Sequence, residues 1–292
     1  VTVQLVTDSS AGLPDWCVTP ATAISVLPLH VLRGDEDYRE GLDAVPDSVV
    51  GDPAAHTATA SPEEVRKVLV EALDRSDGAG VVAVTLSRRL SGTWDVVRTV
   101  ADSLGPLVRV HDSESIASGL GFSVRAAAAT AVDGADLGTV YRKAAEVSAE
   151  SYCLCMVERL EWLRRGGRLS TAAAVLGAVL ATKPILHLVD GVLTLRERVR
   201  TRSKALAALI DAAAGAEDSG EAAIAVHHVD APDIADLIVD GLRQATPAAV
   251  IHPPAALGFT LGVHLGPGAL GVVVNTHPDA IALPVQRDSF PV

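Results

Sequence analysis

Cysteine, positive charge, long apolar runs and the short signatures of metal, nucleotide and nucleophile sites are scarce or missing from this chain, and each scarcity excludes something. Three cysteines among 292 residues, Cys17, Cys153 and Cys155, are too few for a disulfide framework and fit a reducing cytoplasm. Cys153-Leu154-Cys155 lacks the spacing of a zinc or redox pair and alternates like two core-facing positions of a strand. A formal net charge of −12 argues against a nucleic-acid backbone or an anionic membrane surface as the main partner, because both require clustered positive charge. No apolar run reaches the ~18 residues of a membrane span, and Val1-Thr2-Val3-Gln4-Leu5 has no basic leader region, so a soluble protein is expected. Of the nine histidines, His227 and His228 fall next to each other on an expected strand and point to opposite faces. His56, His111, His252 and His277 are scattered, so no metal is expected. A G-x-S-x-G elbow and a G-x-x-x-x-G-K-[ST] loop are absent. The one G-x-G-x-x-G, Gly266 to Gly271, runs into the strand-like Val272-Val273-Val274 instead of opening a helix, which leaves nucleotide binding with little support.

What is present is apolar and α/β in pattern. Hydrophobic residues make up 49% of the chain, enough for large cores at a length that favours two domains. Val3 to Val6, Ile24 to Leu29, Val81 to Leu86 and Leu107 to Val110 read as strands. Polar loops follow three of them: Thr7-Asp8-Ser9-Ser10, Ser87 to Thr93, and His111-Asp112-Ser113. Helical patterns lie between, one running to about Asp74, with Ser61 suited to its N-cap, Pro62 to its first position and Glu64 to a capping box. Others follow Thr93, run through Ala131, and span Leu137 to about Val147. Asp35 to Glu40 reads as a solvated acidic loop. Residues 1–152 therefore describe a doubly wound, mostly parallel α/β domain with its ligand loops on one edge.

Residues 153–292 change character. The alternating Ser151 to Val157 leads into a short amphipathic helix stopped by Gly166-Gly167, then an apolar helix from Thr171 to Ala181. Ile185 to Val189 and Val192 to Arg198 are joined by Asp190-Gly191, a two-residue hairpin signal, so this second α/β domain should carry a mixed or antiparallel sheet. A helix from Thr201 to Ala214, a strand from Ala223 to Val229 and a helix from Asp233 to Gln244 follow. His264 falls at the expected break between a strand and the Gly266-Pro267-Gly268 turn.

Ser91-Gly92-Thr93 would place hydroxyls and the free N–H groups of a first helical turn toward a negative group. Ser9 and Ser113 share that layer. With Ser61 used as a cap, Thr57 and Thr59 are free to face a ligand. Hydroxyls and helix starts suit a carboxylate, and apolar helices suit a long tail, each buried methylene contributing about 0.8 kcal/mol. A fatty acid satisfies both. The alternative is a hydrolase or acyltransferase using Ser91 and His264, with Asp8 or Asp112 completing a triad.

These residues, taken in order, resemble the DegV family of fatty-acid-binding proteins along nearly the whole chain. Thr7-Asp8-Ser9-Ser10 is similar to its T-D-S-S, Leu90-Ser91-Gly92-Thr93 to its L-S-G-T, Asp112-Ser113 to its D-S, and Gly166-Gly167-Arg168 to its G-G-R. Lys183-Pro184-Ile185-Leu186, Asp190-Gly191 and Arg200-Thr201-Arg202 follow in the expected sequence, and His264 to Gly271 is close to its H-T-G-P-G-A-L-G. Where the family commonly has T-S-x-P-S, this chain has Thr57-Ala58-Thr59-Ala60-Ser61. Thr57 aligns with the family threonine, and strand alternation puts Thr59 on the same face. The resemblance implies a fatty acid between two domains, with Ser91 and the Gly92 N–H on its carboxylate, His264 beside it, the tail in the second domain, and no cofactor. It further implies a non-catalytic protein that offers the carboxylate to a separate ATP-dependent kinase subunit, which Arg200 and Arg202 would contact; a monomer in the cytoplasm is the default expectation.

Overall fold

In the computed structural model, residues 1–169, 182–216 and 221–282 are described, and the helix expected from Thr171 to Ala181 lies outside them. The first half runs β1 (Gln4–Asp8), β2 (Ile24–Leu27), β3 (His30–Arg33), β4 (Glu36–Arg39), β5 (His56–Ala58), α1 (Pro62–Ser76), β6 (Val81–Thr85), α2 (Thr93–Leu104), β7 (Val108–Asp112), α3 (Ser118–Val132) and α4 (Leu137–Ala149). The second half continues with β8 (Ser151–Met156), α5 (Glu161–Arg165), β9 (Lys183–Val189), β10 (Val192–Val199), α6 (Arg202–Ala214), β11 (Ala223–His228) and α7 (Pro232–Ala245). It closes with β12 (Val250–Ile251), β13 (Ala255–Ala256), α8 (Phe259–Leu265), β14 (Leu270–Asn275) and α9 (Pro278–Ile281).

β2, β1, β6 and β7 form a parallel sheet in that order. Its strands are continuous apolar runs because helices cover both faces. Val81 and Ala83 pack with Val65, Leu69 and Val97 of α1 and α2, while Val82 and Val84 pack with Leu120, Val124 and Val140 of α3 and α4. The expected capping box starts α1: Ser61 Oγ accepts from Glu64 N, and the Glu64 carboxylate accepts from Ser61 N.

The second sheet has the order β10-β9-β8-β14-β11-β12, with β13 also alongside β11. Its pairs are antiparallel from β10 to β11, and β12 and β13 run parallel to β11. Asp190 and Gly191, at φ 49° and 75°, make the tight turn between β9 and β10, where both central residues need positive φ. Helices α6 and α7 cover one face of this sheet, and α3, α5 and α8 pack toward the other. Helix α3 therefore lies between the two sheets, buried almost all round from Ser118 to Ala128. Small residues permit that: a Cβ on Gly121 would overlap the Ala11 carbonyl oxygen.

Two expectations are corrected. The acidic stretch from Asp35 to Glu40 is not a loop: Gly34, at φ 60°, turns the chain into β4, which pairs with β3 in a three-stranded antiparallel sheet completed by β5. Charged residues there mark an edge strand, a common protection against edge-to-edge pairing. His264 lies on helix α8 and not at the end of a strand. Gly258, Gly262 and Gly266 hide the helical pattern, yet Gly262 is where Val50 approaches: a Cβ would sit 3.1 Å from its methyl group.

Candidate functional site

A cavity opens at the carboxyl end of β6, walled by the β5 segment, α8 and the turn after α5. On the β6 side the backbone is tied down before the chain reaches Ser91. Leu86 N donates to buried Asp8 at 2.8 Å, and Leu90 N and Ser91 N both donate to the Ser87 carbonyl, at 3.0 and 3.2 Å. Ser87 Oγ donates in turn to the Gly191 carbonyl at 2.7 Å, docking the second sheet's hairpin turn on this loop. Gly92 precedes α2 without capping it through a side chain. Ser91 Oγ accepts from Thr93 N at 3.3 Å and shares a hydrogen bond of 2.9 Å with Thr93 Oγ1. The hydroxyl thus braces the helix start and faces the cavity together.

Across the cavity, Thr57 Oγ1 and His264 Nε2 share a hydrogen bond of 2.7 Å. Burial, with the Arg168 charge beside it, pushes the His264 imidazole down to about 4, so the ring is neutral at physiological pH. Its Nδ1 packs against Gly166, where a Cβ would overlap it. Gly167 then takes φ 68°, a left-handed conformation that favours glycine, and turns the chain so that Arg168 reaches the cavity. The Gly166-Gly167-Arg168 segment is explained residue by residue: room for the histidine, a reversal, a cation. Arg168 Nε donates to the Leu90 carbonyl at 3.0 Å, spanning to the Ser91 loop, and another guanidinium nitrogen donates to the Gly166 carbonyl.

Two hydroxyls on the cavity wall, Thr59 Oγ1 and Thr260 Oγ1, are buried without a hydrogen-bond partner. An unmet buried hydroxyl costs on the order of 1–3 kcal/mol, which a ligand oxygen would relieve. Among the described residues lining the cavity, Arg168 is the one with a permanent charge. Leu29, Leu86, Leu163, Leu193, Leu261 and Leu265 make much of the remaining wall apolar. One anionic head with an apolar body matches such a site.

The structure brings together Thr57, Thr59, Ser91, Gly92 and His264 on this wall. Ser9 and Ser113, expected beside them, are placed elsewhere. Ser9 Oγ donates to Glu40 at 2.6 Å and accepts from Leu29 N at 3.1 Å, and buried Ser113 donates to the Thr85 carbonyl at 2.8 Å. Both hydroxyls are engaged by partners within the protein, Ser9 by the Leu29 and Glu40 segments and Ser113 by the end of β6. Neither aspartate proposed for a triad serves His264: Asp8, which burial pushes up to about 6, accepts from Ser10 and Leu86, and Asp112 accepts from Arg88 N and Glu114 N. Arg200 and Arg202 are exposed at the start of α6, where Arg202 also donates to Glu158 at 2.6 Å. Arg168 and Thr260 were not singled out as ligand contacts from sequence. The glycine pair before Arg168 was a usable signal, and Thr260, four residues before His264, would have followed from assigning that segment to a helix.

The DegV family model, described as an uncharacterised protein family, matches residues 2–277. A DegV domain-containing protein of Mycobacterium tuberculosis is 42% identical over 280 residues, covering 94% of this chain and 98% of that protein. Several solved structures share the fold. DegV of Bacillus subtilis, a fatty acid binding protein, superposes with a TM-score of 0.83 at 28% identity, covering 94% of this chain and 99% of its own. A DegV family protein of Thermus thermophilus, described for its fatty acid binding, gives 0.83 at 26% identity, covering 95% and 100%.

Proposed function

The chain belongs to the DegV family, and from that premise we propose that it binds a long-chain fatty acid and presents the carboxylate to a separate ATP-dependent kinase subunit for acyl-phosphate formation. The observation that carries the binding is the polar set on the cavity wall: Arg168, neutral His264 and the unpartnered hydroxyls of Thr59 and Thr260 line one cavity whose wall is largely leucine. A carboxylate supplies the missing acceptors and the missing negative charge. Ser91, the Gly92 N–H and Thr57 complete the head-group set. Thr59 is the more available donor of the threonine pair, since Thr57 is engaged by His264. Residues 1–152 act as the domain carrying most of the hydroxyls, and residues 153–292 as the domain taking the tail along Leu163, Leu193, Leu261 and Leu265. Arg200 and Arg202, exposed beside this half, form the kinase contact. The protein works as a cytoplasmic monomer; its three cysteines are free and buried, and no helix among the described residues is long and apolar enough to cross a membrane.

A serine hydrolase using Ser91 and His264 is less well supported. A nucleophile needs its base within hydrogen-bond reach, whereas Ser91 Oγ pairs with Thr93 and His264 Nε2 with Thr57. Protein purified from a bacterial host should release a fatty acid into organic solvent. Mass spectrometry finding no lipid, combined with no binding of long-chain acid by the stripped protein, overturns the reading. Acyl-ester turnover that vanishes in Ser91→Ala would favour the hydrolase. Arg200→Ala and Arg202→Ala should keep lipid binding while acyl-phosphate formation by the kinase falls.

A further inference from the structure

Glu40 ends an acidic stretch whose other carboxylates, Asp35, Glu36 and Asp37, face solvent, yet it is itself only 7% exposed. Its two oxygens are divided between two parts of the chain. Oε2 accepts from Ser9 Oγ at 2.6 Å, on the turn after β1. Oε1 accepts from the backbone N–H of Thr260 at 2.8 Å, 220 residues away on α8. The backbone of Glu40 is fixed as well, its N–H donating to the Leu29 carbonyl at 2.8 Å, and Leu29 N donates to Ser9 Oγ. Gly258, the residue before α8, leaves the space that the carboxylate fills: a Cβ there would overlap Glu40 Oε1.

The elements joined in this way are the two that make the Thr57–His264 side of the cavity. Glu40 follows β4, whose sheet includes β5 and Thr57, and α8 carries Thr260 and His264. Resting on the reading of this cavity as a fatty-acid site, we propose that Glu40 is its positioning residue: by gripping Ser9 and the Thr260 N–H at once, it fixes α8 against the β5 sheet and sets the separation of Thr57 from His264. Glu40 touches no ligand in this arrangement. It acts through α8, which places the unpartnered Thr260 hydroxyl and the imidazole at the head-group end. A buried carboxylate bonded on both oxygens holds its partners tightly, and a truncated side chain leaves both donors unmet.

The test compares Glu40→Ala with Glu40→Gln, using binding of a dansyl-labelled fatty acid to the full chain and the NMR titration of His264 in the ligand-free protein. Glu40→Ala should weaken binding about tenfold or more, the change expected for losing a hydrogen bond to a charged group, and the His264 midpoint should rise toward its ordinary value as the ring loosens. Glu40→Gln keeps an acceptor for Thr260 N and a donor toward Ser9, so it should restore both readouts to near wild type. A folded Glu40→Ala variant with wild-type affinity and an unmoved His264 titration overturns the proposal. If that variant fails to fold, Gly258→Ala, which pushes the carboxylate from the helix, must give the same two changes or the proposal falls. Wild-type protein that binds no fatty acid would refute the function proposed above, while the His264 titration still decides the role of Glu40.

Discussion

The hydroxyls of Thr57, Thr59 and Ser91 come from the chain before β8, whereas Arg168, Thr260 and His264 come from the chain after it. The first half offers neutral donors, Ser91 at the edge of the parallel sheet and Thr57 and Thr59 on the β5 segment of the small antiparallel one; the second offers the charge, a neutral imidazole and several of the leucines. The carboxyl and imidazole groups most strongly shifted by burial differ too. Asp8, in the first half, is pushed by burial up to about 6. His227, His252 and His264, in the second, are pushed by burial down to about 4. On the fatty-acid reading proposed above, the difference gives orientation and affinity separate origins: neutral hydroxyls would fix where a carboxylate sits, and the arginine would supply most of the attraction.

The largest expected effect comes from acid. Each depressed histidine binds its proton more readily in the unfolded chain, so its contribution to stability is complete above about pH 6.5 and is lost as pH falls toward 4, of order 1–3 kcal/mol apiece. Asp8 has the opposite sign: its raised value favours the folded state at low pH, a contribution lost as pH rises through about 6. Three histidines outweigh one aspartate, and the urea midpoint should drop between pH 7 and pH 4.5. An equal midpoint at both values contradicts the contrast between the halves. Next comes Arg168→Ala, which removes a charged partner worth about 1.5–3 kcal/mol and should weaken fatty-acid affinity some ten- to a hundredfold in a displacement assay, with the fold intact by circular dichroism. Ser91→Ala and Thr59→Val should cost least, a few-fold each for a neutral hydrogen bond of about 0.5–1.5 kcal/mol. Losses from Ser91→Ala larger than from Arg168→Ala would reverse the division of labour.

Legibility in the sequence followed the same line. The Ser61-Pro62-Glu64 start of α1 and the Asp190-Gly191 turn were readable because their partners lie within a few residues. The parallel strands were readable because burial on both faces leaves an unbroken apolar run, as in Val81 to Val84. Ser91 was readable as a loop residue opening a helix. What was not readable depends on distant partners: Thr57 meets His264 across 207 positions, and Glu40 looked solvated because nothing local reveals Thr260. Helix α8 was obscured by glycines that its packing against Val50 and Glu40 requires. Ser9 and Ser113 show the converse, since their composition suited a ligand while their hydroxyls are engaged inside the protein, Ser9 with Glu40 and Leu29 and Ser113 with Thr85.

The hydrogen bond between Thr57 and His264 has a consequence for the time course of biosynthesis. About 170 residues separate Ser91 from His264, and a ribosome adding roughly 5–20 residues per second needs on the order of 10–35 s to cross that distance. Throughout that interval the emerging polypeptide carries its serine and threonines but neither the helix nor the imidazole that completes the pocket. On the fatty-acid reading proposed above, a nascent chain has no complete pocket to load until His264 and its helix have been added.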